Sequence, residues 1–298
     1  MATRTTEQLH PDALGFDMLP LEQAAKILSA SQVAASNTSG AAVPAISAGA
    51  RAMARTIRAG GVLRYVAAGS SGLMAAADAL ELNGTFSIQP AQIRIHMAGG
   101  QPVGVEMPGD TEDCVDALAE ELKGIAAQDT VIAVSASGST PYTLAAAEIA
   151  KTAGAHVIGI ANNSGSALLT LADSPITLAT PPEVIAGSTR MGAGTAQKIA
   201  LNMLSTLMAV ELGHVHDGMM INVKADNIKL RQRARDIVSR VSSTTQDTAA
   251  KALETACGEV KPAILIAAGA TTLAQARSLL EASNGHLRSA LTDLLKHT

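Results

Sequence analysis

Val62-Leu63-Arg64-Tyr65-Val66-Ala67-Ala68, closed at once by Gly69-Ser70-Ser71-Gly72 and followed by an Ala-rich stretch over 73–82, decides the fold. A short apolar run bounded by Gly and Ser reads as a buried strand and its closing turn, and the Ala-rich segment reads as a helix. The unit recurs along the chain. Residues 93–97 are closed by Ala98-Gly99-Gly100, and 130–134 by Ser135-Ala136-Ser137-Gly138-Ser139-Thr140. Residues 156–160 are closed by Ala161-Asn162-Asn163, and 175–178 by residues 179–183. Near-continuous apolar strands alternating with helices imply an α/β fold, a parallel sheet covered on both faces. Ligands of such sheets bind outside the carboxyl ends of the strands, where these Gly/Ser loops fall.

Working outward, residues 18–60 carry apolar side chains at helical spacing and stop at Gly60-Gly61. Gly187-Ser188-Thr189-Arg190-Met191-Gly192-Ala193-Gly194 leads into a long helix over 195–211 that is apolar on most sides and therefore reads as buried. After Asn227 the pattern changes to short helices over 228–241, 245–256, 263–267, 272–282 and 286–296. The expected division is an N-terminal helical segment at 1–60, an α/β domain at 61–225 and a small C-terminal helical module at 226–298.

The chain has 298 residues, 47% of them apolar, which is ample for a core. It contains no Trp, two Phe and two Tyr, and its formal charge is −4. Neither stacking platforms nor a basic footprint for nucleic acid is present. Cys114 and Cys257 are too few for a disulfide framework or a zinc site. The first eighteen residues lack an apolar signal core, and no run of about 18 uncharged apolar residues appears. A soluble cytoplasmic protein without membrane partners is expected.

Two Ser/Gly loops, each between a strand and a helix, are the strongest chemical signal. Backbone N–H groups at a helix start attract an anion, and hydroxyls add donors; a single such loop reads equally well as an ordinary Ser cap. Neither loop has the Lys of a phosphate-binding P-loop or the three glycines of a dinucleotide fingerprint. The pair points to a phosphate monoester held by Ser70, Ser71, Gly72, Ser137, Gly138, Ser139 and Thr140. Asp78 and Glu81 share a helix face, and Glu112-Asp113 lie in the loop after the second strand. Carboxylates there serve as general acid or base if their environment shifts them, or simply form solvated faces. Glu183, Ser188 and Arg190 offer an anion clamp or a helix-start ion pair. His214 and His216 lack a third ligand and read as polar residues closing the long helix.

Together these segments resemble the N-acetylmuramic acid 6-phosphate etherases, a family of sugar isomerase (SIS) domain proteins. The resemblance covers nearly the whole chain. It begins at Thr6-Glu7-Gln8 and is strongest at Pro182-Glu183-Val184, Gly187-Ser188-Thr189-Arg190-Met191, Ala193-Gly194-Thr195-Ala196-Gln197-Lys198 and Leu201-Asn202-Met203-Leu204-Ser205-Thr206. It implies a SIS-type, flavodoxin-like parallel sheet sandwiched by helices, with a helical C-terminal extension. It places catalytic glutamates at Glu81, in Asp78-Ala79-Leu80-Glu81, and at Glu112, in Glu112-Asp113. It implies a sugar-phosphate substrate held by the serine loops with Glu183, Ser188 and Arg190, no cofactor or metal, and a homodimer. Leu73, Ser139 and Gly192 stand where the family carries cations. That departure keeps two other readings open: a SIS enzyme for a different sugar phosphate, and a non-catalytic sugar-phosphate sensor.

Overall fold

A computed structural model describes residues 5–225 and 227–296. The chain gathers into two compact units. One takes the described residues up to Leu80 together with Ala91–Ser205; the other takes Glu81–Pro90 and the described residues from Thr206 onward.

The first unit opens with a 3-10 turn at Thr5–Glu7, then helices α1 (Leu21–Ala41) and α2 (Val43–Arg58). Strand β1 (Leu63–Ala67) runs into α3 (Gly69–Phe86), followed by β2 (Ile93–Met97), α4 (Leu118–Glu121), β3 (Thr130–Ser135), α5 (Pro141–Thr152), β4 (His156–Ala161), α6 (Ala167–Leu171), β5 (Ser174–Thr177) and α7 (Gly192–Glu211). All four strand pairings are parallel, in the order β2-β1-β3-β4-β5. This is the flavodoxin-like order, and its direction reverses between β1 and β3, where such sheets bind ligands.

Side chains alternate across the sheet. Val66, Val131, Ala133 and Val157 pack with Leu118, Leu122, Tyr142, Ala146 and Leu168 beneath α4, α5 and α6. Leu63, Tyr65, Ile132 and Ile158 are wholly buried at the intervening positions, where α2 packs on β1, β3 and β5. At the opposite end from the ligand loops, Arg64 Nε donates to Asp129 Oδ2 at 2.9 Å. Asp129 also accepts the Val62 N–H at 2.9 Å, so one buried carboxylate ties β1 to the start of β3.

The start of the helix after β1 differs from the expected one. Helix α3 begins at Gly69, not at Leu73, so Ser70 and Ser71 occupy its first turn. Gly69 adopts φ 53°, a left-handed conformation that swings the chain from strand into helix without a connecting loop.

The second unit contains a hairpin of β6 (Val215–His216) and β7 (Met219–Met220), which the sequence reading left out. Helices α8 (Ile228–Ser242), α9 (Gln246–Thr255), α10 (Val260–Ala267), α11 (Leu273–Ala282) and α12 (Leu287–Lys296) follow. Ile237, Val238, Ile264, Leu265, Leu287 and Leu294 anchor its core. Helix α10 starts three residues earlier than expected because Pro262 falls in its first turn, where a proline is tolerated. Among the described residues, no helix is long and apolar enough to cross a membrane.

Candidate functional site

The carboxyl ends of β1 and β3 each deliver a helix start to the same place. After β1 come Ser70 and Ser71 of α3; after β3 come Ser135 to Thr140, with Thr140 at the N-cap of α5. Two helix N-termini bring the positive ends of two macrodipoles to one spot.

The second loop is held by its own hydroxyls. Ser135 Oγ accepts the Gly138 N–H at 3.0 Å and lies 2.8 Å from Thr140 Oγ1. Ser137 Oγ accepts the Ser139 N–H at 3.2 Å and the Ser139 hydroxyl at 3.1 Å. Gly138 has φ 67°, and a Cβ there would fall 2.1 Å from Ser166 Oγ. Only glycine fits this turn.

A pocket of about 460 Å³ opens between the loops. Ser70, Ser71, Glu112, Ser135, Ser137 and Thr140 line it, with Thr6, Glu7, Gly187 and Thr189 on further walls. Asn163 holds the N-terminal turn in place: its Nδ2 donates to Thr6 Oγ1 at 3.2 Å and to the Ser137 carbonyl at 3.3 Å. Glu112 enters from the chain after β2, and its carbonyl accepts the Tyr142 N–H at 3.0 Å, which pins it to the first turn of α5. No Lys or Arg is among the described lining residues. An anion here is met by hydroxyls and helix starts rather than by a cation, while Glu112 and Glu7 supply carboxylates beside it.

The remaining expected residues lie elsewhere. Gly72 closes the first turn of α3, its N–H donating to the Ala68 carbonyl at 3.0 Å, and it packs against Met97. Ser139 lines a neighbouring cavity of about 630 Å³ that shares Ser137. Glu183 is 3% exposed, and its two oxygens accept the N–H groups of Gly192 at 2.9 Å and Ala193 at 2.8 Å. It therefore anchors the start of α7. Ser188 is half-buried between two lining residues, Gly187 and Thr189, and Arg190 is exposed. Glu81 is exposed on α3, within the second unit.

Asp78 is the buried member of the acidic pair. It accepts from Tyr65 Oη at 3.0 Å, Asn202 Nδ2 at 2.7 Å and Ser205 Oγ at 2.9 Å, locking α3 to β1 and α7. Burial raises its pKa above the usual carboxylate value, and the three donors oppose the rise. Sequence reasoning did not single out Ser135 or Asn163. The polar cluster over 135–140 and the Asn162-Asn163 pair at a strand end were the available signals.

A family model described as "SIS domain" matches residues 113–208. The chain is similar to N-acetylmuramic acid 6-phosphate etherases of several bacteria. It is 39% identical to the one from Streptomyces avermitilis over 98% of this chain and 94% of that protein. The Deinococcus radiodurans protein is 40% identical, with 97% and 95% covered. The Bacillus subtilis protein is 41% identical, with 78% and 77% covered. Among solved structures, a phosphoheptose isomerase from Francisella tularensis overlays with a TM-score of 0.46 at 22% identity, covering 64% of this chain and 98% of that one.

Proposed function

Because the chain belongs to the N-acetylmuramic acid 6-phosphate etherase family, we infer that it is an enzyme that cleaves the carbon–oxygen ether of N-acetylmuramic acid 6-phosphate, releasing D-lactate and N-acetylglucosamine 6-phosphate. The observation that carries this reading is the position of Glu112 in a pocket it shares with Ser70, Ser71, Ser135, Ser137 and Thr140, with Glu7 as a second carboxylate on a further wall. The phosphate is assigned to Ser70, Ser71, Ser137 and Thr140, with the flanking Gly72, Gly138 and Ser139 shaping those turns. Glu183, Ser188 and Arg190 support the wall at Gly187 and Thr189.

The chemistry is elimination followed by hydration, as for a lyase. The open-chain aldehyde makes the C2 proton acidic. Glu112 removes it, and Glu81 protonates the lactyl oxygen leaving C3. Water then adds across the double bond. Elimination needs a base and an acid held apart in opposite protonation states.

Glu81 lies about three turns beyond Ser70 on α3, about 16 Å along the axis at about 1.5 Å per residue. A glutamate side chain alone does not span that length. This favours a homodimer in which each copy supplies Glu81 to the other's pocket. The 61–225 stretch is assigned as the sugar-phosphate-binding domain and 226–298 as an accessory module, acting in the cytoplasm, where sugar phosphates are found.

The test is incubation of the purified protein with N-acetylmuramic acid 6-phosphate, assayed for D-lactate, beside Glu112→Gln. Lactate from the parent protein and none from the variant is the expected result. Lactate from both removes Glu112 from the mechanism, and lactate from neither removes the activity.

A further inference from the structure

The ether chemistry leaves unused a cavity of about 650 Å³ in the second unit. Three cationic side chains line it, Lys224, Lys261 and Arg277, against one carboxylate, Glu259. Cys257 is the remaining titratable side chain on its wall. Ser87, Gln89 and Asn222 supply neutral polar groups. None of these residues belongs to the lining of the pocket around Glu112.

Lys261 makes the cavity more than a surface dent. It is 7% exposed, and its Nζ donates to the Gly285 carbonyl at 3.0 Å. An ammonium has three N–H donors, and one neutral acceptor does not compensate a buried charge. Burial accordingly brings its pKa down from the ordinary lysine value to about 8. Lys261 also stands in the first turn of α10. The Val260 and Lys261 N–H groups have no acceptor within that helix, and its dipole is positive at this end. Glu259, the residue that could cap it, makes no side-chain cap and pairs with Arg277 instead. A helix start, an under-paired ammonium and the exposed Lys224 ask for an anion, and Arg277, paired with Glu259, stands beside them. The volume lies in the range of small-molecule sites and far exceeds what a lone phosphate fills.

We propose that this cavity is a second ligand site, for a phosphorylated anion the size of a sugar. The phosphate sits on Lys261 and the start of α10, Lys224 and Arg277 reach it from the rim, and Ser87, Gln89 and Asn222 take the hydroxyls.

The experiment follows acylation of Lys261 in the full chain, mapped by mass spectrometry, with glucose 6-phosphate, glucose or inorganic phosphate present. Glucose 6-phosphate slows the labelling of Lys261 at least tenfold and glucose does not. Arg277→Gln, at an exposed site, raises the concentration needed by on the order of tenfold, the loss of one charge-assisted hydrogen bond. Equal protection by inorganic phosphate overturns the sugar-ester assignment, and no protection by either overturns the site. Equilibrium dialysis of labelled glucose 6-phosphate gives a second count. Lys261→Met binds one equivalent fewer per chain than the parent protein, and equal stoichiometry overturns the proposal. The labelling of Lys261 and the stoichiometry lost in Lys261→Met both report on this cavity and are independent of lactate release.

Discussion

Oε1 of Glu112 lies against the backbone of Gly69, so close that a Cβ built on Gly69 would sit 2.7 Å from it. The residue that turns β1 into α3 is thus also the floor under the carboxylate. Gly69→Ala meets two costs: a left-handed φ of 53°, worth about 1 kcal/mol for a residue with a side chain, and displacement of Glu112. Lactate release should fall at least about tenfold, since small misplacements of a reacting group cost rate steeply. The melting temperature should drop by only a few degrees. Full turnover in this variant would uncouple Glu112 from its seat.

Mixing two inactive variants tests whether the acid and base come from different copies. In a population of Glu81→Gln and Glu112→Gln chains that exchange freely, half the dimers pair unlike chains. Each such dimer regains one intact site, so activity should return to about a quarter of the parent level. An inactive mixture, with exchange verified by mass, would place both glutamates on one chain.

His96 on β2 should contribute to acid sensitivity. Burial is the largest cause holding its pKa at about 4 rather than 6.5, with Arg64 and Arg94 adding to the effect and Glu121 opposing it. Its Nε2 has no hydrogen-bond partner. Between those two values the unfolded chain binds the extra proton. The stability is therefore fully present above about pH 6.5 and drains as pH falls toward 4. His96→Gln should flatten that limb of the melting curve against pH; a parallel curve would exclude His96 as a source.

The Arg64–Asp129 pair is buried on both sides, with side chains 9% and 3% exposed. Asp129→Ala leaves a guanidinium uncompensated and two backbone N–H groups short of an acceptor. The expected loss is about 3–5 kcal/mol by urea unfolding. The double replacement Arg64→Met with Asp129→Leu should cost less than the single one, because no charge is stranded.

Glu183→Ala removes both acceptors from the first turn of α7. Two hydrogen bonds to a charged group at a helix start predict a loss of about 2 kcal/mol. The wall at Gly187 and Thr189 precedes that turn, so KM should rise more than kcat falls. A variant with unchanged stability would show that α7 does not depend on this carboxylate.

Much of the α/β unit was legible because its signals are local. The five strands fall within a residue or two of the apolar runs, and the loops after β1 and β3 carry the serines that face the pocket. The short C-terminal helices were readable from their periodicity. The β6–β7 hairpin was not, since two-residue strands carry no usable pattern. Nor was the transfer of 81–90 to the second unit, which interrupts one helix without any change in composition.

The site divides the same way. The sequence by itself determined that two Ser/Gly turns would open helices at the carboxyl ends of parallel strands, because glycine conformational freedom and helix-start chemistry act over a few residues. It also determined the family, through long contiguous motifs. Tertiary structure alone decided which polar residues turn to the pocket and which are consumed in building it. Glu112 and Glu183 look alike as letters. One faces hydroxyls and open volume, while the other is buried with both oxygens taken by the start of α7. That difference comes from hydrogen bonds and burial set by packing, and no local pattern encodes it.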